Sequence, residues 1–219
     1  MSEEQSYCND SGQSFFWKIV VYQLYLSFWF CNLGYLKENV LPTGAAVESR
    51  GFTLVTSSMK EAPPLKGEAT LRYFPQLKGV EKFGKGLIEN LSTIVSVSQE
   101  RCFPNVDFID TPGLVDGSVE YPFDVNQVLL FLADYVDLIF VFLDPHEQAL
   151  GSRTMEVVKM LNVSLSTGVD KEVDHYDKMC YYLTKIDTLN SIADLMKVSN
   201  QTTQVEFCGL LENRILLYV

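Results

Sequence analysis

The sequence predicts an α/β protein built on a mostly parallel, doubly wound sheet. Three observations predict it. Short β-prone apolar runs alternate with amphipathic helical stretches through the second half of the chain. One of these runs, DLIFVFLD at 137–144, is continuously apolar between its end carboxylates, as a parallel strand covered on both faces must be. Finally, 219 residues, 47% hydrophobic and 21% charged, suffice for one substantial core.

The first fourteen residues are polar and carry Glu3, Glu4 and Asp10 with no base, the reverse of a secretory leader, and they are expected to form a disordered tail. The stretch FFWKIVVYQLYLSFWFCNLGYL, 15–36, has Lys18 as its one charge. A membrane span fits it, and so does a buried strand followed by a buried helix, because Gln23, Ser27 and Asn32 dilute the run. The folded domain is expected to occupy 15–219.

Between 37 and 79 the chain is richer in Gly, Pro, Ser and Thr. GFTLVTSS predicts a strand, EAPPLKG a loop because its paired prolines oppose helix, and ATLRYF a second strand. From Leu87 the positions Leu87, Ile88, Leu91, Ile94 and Val95 keep a 3.6-residue spacing, which predicts a helix ending near Ser96. NVDFID predicts a strand running into the turn TPG. DVNQVLLFLADY predicts a helix capped by Asp124, with Val125, Val128, Leu129 and Leu132 on one side. SRTMEVVKML predicts a helix, KMCYYLT a strand, SIADLMKV a helix and the terminal ILLYV a strand. The sequence has no internal repeat and no low-complexity segment.

Composition excludes several functions. A formal net charge of −11 argues against nucleic acid as a partner, since phosphate backbones are held mainly by clustered Lys and Arg. Cys8, Cys31, Cys102, Cys180 and Cys208 are odd in number and lack any C-x-x-C pair, so neither a zinc site nor a disulfide framework is indicated, and a reducing, cytoplasmic setting fits. His146 and His175 have no evident partner for a metal site or a catalytic triad.

Two short motifs stand at the carboxyl ends of predicted strands, where open α/β sheets bind ligands. Asp110, Thr111, Pro112 and Gly113 form DTPG after DFI; Thr184, Lys185 and Asp187 belong to TKID after CYYL. Each alone is weak, since DTPG is also good turn chemistry. Their order, with one strand between them, points to a nucleoside triphosphate site. Asp110 is suited to hold Mg²⁺ through its water shell, while the flexible Gly113 lets its backbone N–H approach a γ-phosphate. Lys185 would lay its stem along a purine and Asp187 would accept two hydrogens from a guanine edge, which favours guanine over adenine.

These residues resemble the dynamin-type large GTPases. VDLIFVFLDPHEQALGSRT looks most like the EHD-type and sarcalumenin-like branch of that family, and the resemblance runs from about Val40 to Leu189. It implies a sheet of the P-loop GTPase type, incomplete at both ends of this chain, with Mg²⁺ and GTP or GDP as ligands. Thr184 and Leu114 match the family pattern. Leu114 stands where small GTPases place a water-orienting Gln, so stimulated hydrolysis would need groups brought by a homodimer across the nucleotide face or by a partner. TGAAVESRGFT is similar to the first switch, which puts Ser49 at the place of the Mg²⁺-binding, water-positioning Thr; an ordinary loop serine reads equally well. Peripheral membrane association would come through regions outside this chain.

The stretch KGVEKFGKGLIENL spaces Gly79, Gly84 and Lys85 like the phosphate-cradling signature G-x-x-x-x-G-K-[ST], but Gly86 offers no hydroxyl to Mg²⁺, and the stretch follows the first switch where a phosphate loop must precede it. It is expected to connect into the following helix. The resemblance expects the true loop after a first strand, KIVVY, around Tyr22 to Phe28. There YQLYLSF has neither glycine nor lysine. Each charge-assisted hydrogen bond lost is worth about 1.5–3 kcal/mol, so several together weaken affinity by orders of magnitude. Two functions therefore stand side by side: a guanine-nucleotide-binding domain of dynamin-like type with compromised triphosphate binding and hydrolysis, and a pseudo-GTPase interaction module that binds no nucleotide.

Weaker candidates remain. Asp116, Glu120 and Asp124 form a carboxylate cluster or a solvated loop. YPFD at 121–124 is part of a second switch by resemblance, with Tyr121 and Phe123 in packing roles. DPHEQ and VDKEVDHYDK read as loops.

Overall fold

The computed structural model describes residues 50–58, 62–97, 106–114, 120–143, 152–162, 178–183, 189, 191, 193 and 196, and the backbone alone at 17–22 and 215–217. These residues form one sheet with helices packed against it. The strands are β1 (Trp17–Tyr22), β2 (Phe52–Ser57), β3 (Leu65–Lys66), β4 (Leu91–Ser96), β5 (Val106–Asp110), β6 (Leu138–Leu143), β7 (Met179–Leu183) and β8 (Ile215–Leu217). Their spatial order is β3-β4-β2-β5-β1-β6-β7-β8. From β5 to β8 all pairings are parallel. β2 runs antiparallel to β5, β4 lies parallel to β2, and β3 is antiparallel to β4. The sheet is thus mixed, with parallel pairings dominant.

The helices are α1 (Glu68–Tyr73), α2 (Lys85–Glu89), α3 (Val125–Ala133) and α4 (Ser152–Asn162), with a 3-10 helix at Pro75–Phe83. Asp124 caps α3 as its sequence predicts: its Oδ1 accepts from the Gln127 amide at 3.2 Å. Val125, Val128, Leu129 and Leu132 then face the sheet, all buried. Burying one such Leu or Val contributes about 1.5–3 kcal/mol.

Alternation along the strands divides the apolar residues between two faces. Ile109, Ile139, Val141, Leu143 and Leu183 join α3 and α4 in one core cluster. Phe108, Phe140 and Phe142 alternate with them and are also buried, and Tyr182 packs on Phe140 and Phe142 with ring centroids 5.4 and 5.1 Å away. Within DLIFVFLD, Leu138–Leu143 is a strand covered on both faces.

Three elements differ from the sequence expectation. ATLRYF is helical, in α1, where Thr70 is fully buried and its hydroxyl accepts from Thr93 Oγ1 at 3.0 Å. EAPPLKG contains the short edge strand β3, with Leu65 opposite Thr93. The single helix expected from Leu87 to Ser96 is α2 followed at once by β4: the Asn90 amide bonds to Leu87 O and its side chain bonds to Gly86 O, ending the helix, and the β-branched Thr93, Ile94 and Val95 continue as strand. KIVVY lies in β1, in the interior of the sheet, which is the strand alternative for that part of the apolar run. Among the described residues no helix is long and apolar enough to cross a membrane. The tail 1–14 and residues 23–36 lie outside the described residues, as does most of the helix expected at 191–198, of which Ala193 and Met196 are helical.

Candidate functional site

The strand register assembles a rim. Asp110 stands opposite Val21, Val21 opposite Phe140, and Phe140 opposite Cys180, so the carboxyl ends of β5, β1, β6 and β7 lie along one edge of the sheet. On the other side Asp110 stands opposite Thr53 of the antiparallel β2, and Thr53 opposite Ser92 of β4, their hydroxyls 3.0 Å apart. Because β2 runs the other way, its amino end meets this rim. The chain leaves β1 towards β2 on one side and β6 towards β7 on the other, the topological condition for a ligand crevice in open α/β sheets.

DTPG occupies the β5 end of the rim. Asp110 is 6% exposed and Thr111 1%, and Pro112 and Gly113 are buried too. Leu114, 1% exposed, plugs the turn into the core. The Tyr121 hydroxyl donates to the Gly113 carbonyl at 2.8 Å, fastening the turn from outside. That bond had no signature in the sequence beyond the YPFD quartet, and Tyr121 is a residue sequence reasoning assigned to packing alone.

Tyr121 also lines a cleft of about 340 Å³ with Glu120, Phe123, Asp124, Val125, Asn126 and Arg153. Burial raises its phenol above the ordinary value, and the guanidinium groups of Arg153 and Arg50 partly oppose that shift. Arg50 precedes β2 and Arg153 lies in the first turn of α4, so charges from two separate parts of the chain bear on Tyr121. Of the carboxylate cluster, Asp124 is engaged as the cap of α3, Glu120 is exposed, and Asp116 lies outside the described residues. Among the described residues no group of three or more His, Cys, Asp or Glu could hold a metal ion.

Thr184, Lys185 and Asp187 lie outside the described residues; the chain reaches them from Leu183, fully buried at the end of β7. β7 is three strand spacings from β5, about 14 Å. Ser49 also lies outside them, next to the exposed Arg50. The segment 23–28, where a phosphate loop was expected, follows β1 at the middle of the rim and is likewise outside.

The GKG stretch has a different use. Gly79 lies in the 3-10 helix, where a Cβ would come within 2.7 Å of the Phe131 ring. Gly84, at φ 93, joins that helix to α2. Gly86 is pressed against Pro122. Lys85 is exposed at the start of a five-residue helix. Gly79 and Gly86 allow close packing and Gly84 supplies the positive-φ turn, as a connecting role requires.

No known protein-family profile matches the chain. Its fold is similar to a solved structure of an oligomerised bacterial dynamin pair, described as providing a mechanism for the long-range sensing and tethering of membranes: 17% identity over 94% of this chain, with a TM-score of 0.56. A second structure from the same description aligns over 92% of the chain at 11% identity and a TM-score of 0.49. The chain spans about a third of the length of each, 33% and 30%. The likeness to the first is one of fold: mixed α/β with a parallel-containing sheet, as in part of that dynamin.

Proposed function

We propose that this chain is a guanine-nucleotide-binding domain of the dynamin-like GTPase type, with weakened triphosphate binding. One observation carries the proposal: DTPG and the chain entering TKID leave parallel strands at the same rim, about 14 Å apart, a span that suits a nucleotide laid from its metal-facing phosphates to its base. The dynamin-like fold supports it.

In this reading Asp110 and Ser49 offer the hard oxygen donors that Mg²⁺ takes, directly or through water; the buried carboxylate at a strand end and the adjoining Thr111 hydroxyl are of the right chemistry. Mg²⁺ would supply neutralisation of phosphate charge. Gly113 presents its amide to the terminal phosphate, Pro112 restricts the turn, and Thr184, Lys185 and Asp187 take the base. Ser49 is the candidate for orienting water in any hydrolysis. A homodimer across the nucleotide face and peripheral membrane association through regions outside this chain belong to the same reading, as does a cytoplasmic setting.

The experiment is titration with a fluorescent guanine nucleotide with and without Mg²⁺. Binding that needs Mg²⁺, and is abolished in Asp187→Ala, is expected. No binding at high micromolar nucleotide would overturn the proposal and favour the second reading, a pseudo-GTPase interaction module. A specific observation favours that alternative: YQLYLSF, which follows the middle strand of the rim, has no glycine to bring its backbone to a phosphate and no lysine to neutralise one. The module predicts thermal stability indifferent to GTP, GDP and Mg²⁺.

A further inference from the structure

We propose that Tyr121 is a positioning residue that holds the Gly113–Leu114 peptide in register with the amino end of β2 and so sets the preference of the site for triphosphate over diphosphate. The inference rests on the nucleotide-binding reading above and adds a residue that reading did not need.

The Gly113 carbonyl belongs to the peptide that leads into Leu114. Leu114 is anchored in the core, so the Tyr121 bond at 2.8 Å leaves that peptide little rotational freedom. Gly113 would otherwise be the most mobile residue of the turn. Tyr121 is itself braced. Its ring lies 6.0 Å from Phe123, which is 9% exposed, and Phe123 lies 5.9 Å from Phe52, the first residue of β2. An aromatic chain thus runs from the Gly113 turn to Phe52, where the chain enters β2 two residues after Arg50. Two candidate phosphate-facing segments, far apart in sequence, are joined through one hydroxyl and three rings. A shift of either segment on meeting a terminal phosphate must be transmitted to, or resisted by, the other. In the nucleotide-binding reading the terminal phosphate meets the Gly113 N–H, which is linked to the held carbonyl through the torsions of Gly113 alone, and a diphosphate, lacking that phosphate, is indifferent to the bond.

Tyr121→Phe keeps the rings and removes the hydroxyl. In the full chain with Mg²⁺, affinities for GDP and for a non-hydrolysable GTP analogue are measured for wild type, Tyr121→Phe and Glu68→Ala. Loss of one hydrogen bond of about 1 kcal/mol corresponds to roughly a fivefold fall in the triphosphate-to-diphosphate affinity ratio of Tyr121→Phe, with GDP affinity held. Glu68→Ala, which removes only an exposed pair with Arg72 in α1, is expected to leave that ratio alone. The same ratio in wild type and Tyr121→Phe, while both bind, overturns the positioning role and leaves the nucleotide-binding reading intact. No binding by wild type overturns both. Amide hydrogen exchange at Leu114 in the nucleotide-free protein tests the contact itself: faster exchange in Tyr121→Phe supports it, and unchanged exchange overturns it.

Discussion

Gly86 lies so close to Pro122 that a Cβ added to it would stand 2.5 Å from the Pro122 carbonyl oxygen. The contact joins the start of α2 to the residues that lead into α3, and the obstacle is backbone, which cannot swing aside. We predict that Gly86→Ala lowers stability by about 1–3 kcal/mol, through forced separation of the two segments. Denaturant unfolding measures it, and a midpoint equal to wild type would contradict the packing role.

Lys85 stands beside Gly86 but points to a different conclusion. It is exposed, and α2 has only five residues. Lys85→Ala is expected to leave nucleotide affinity unchanged, whereas loss of a phosphate-loop lysine would weaken it by orders of magnitude. A large loss in a nucleotide titration would show that the GKG stretch handles phosphate after all.

Asp110 has the opposite expectation. Asp110→Asn conserves shape and removes the charge that favours a divalent cation. Mg²⁺-dependent enhancement of nucleotide binding should fall by about tenfold or more, with Mg²⁺-free binding little changed. Equal Mg²⁺ dependence in the variant and wild type would remove Asp110 from the metal role.

Tyr121 gives a pH signature. Burial is the larger influence and raises its phenol above the unfolded value near 10, so the native state retains the proton where the unfolded chain begins to lose it. The resulting stabilisation is fully present below the unfolded value and is lost as pH rises through the folded one. The ionised oxygen also cannot donate to Gly113. We predict that the stability difference between wild type and Tyr121→Phe shrinks above about pH 10, read from thermal unfolding across an alkaline series. A difference that stays constant to pH 11 or so would contradict the assignment.

Much of the second half of the fold was legible because single signals agreed there. Asp124 announced a cap ahead of an apolar helical face, and Leu138–Leu143 had no polar residue to suggest any state but a strand buried on both sides. Between Ala62 and Ser96 signals conflicted. Leu87, Ile88, Leu91, Ile94 and Val95 satisfy a helical period, yet the position that decides is Asn90, whose side chain and amide both bond back into α2. In ATLRYF the apolar and aromatic residues suggested a strand; Glu68 and Arg72, four apart with nitrogen and oxygen at 3.6 Å, are the helical spacing that was overlooked, though an exposed pair of this kind contributes little. The site was legible only as motifs. Periodicity carries no information about β2 running against β5, and therefore none about which end of β2 meets Asp110. Nor does a single tyrosine eight residues beyond Gly113 disclose that its hydroxyl returns to that residue.

The reversal of β2 has a mechanical corollary. It gathers the starts of β2 and β4 on the rim where β5, β1, β6 and β7 finish, so loops at that rim can change in length or composition while the hydrogen-bonded strands between them hold their anchor points in one spatial relation.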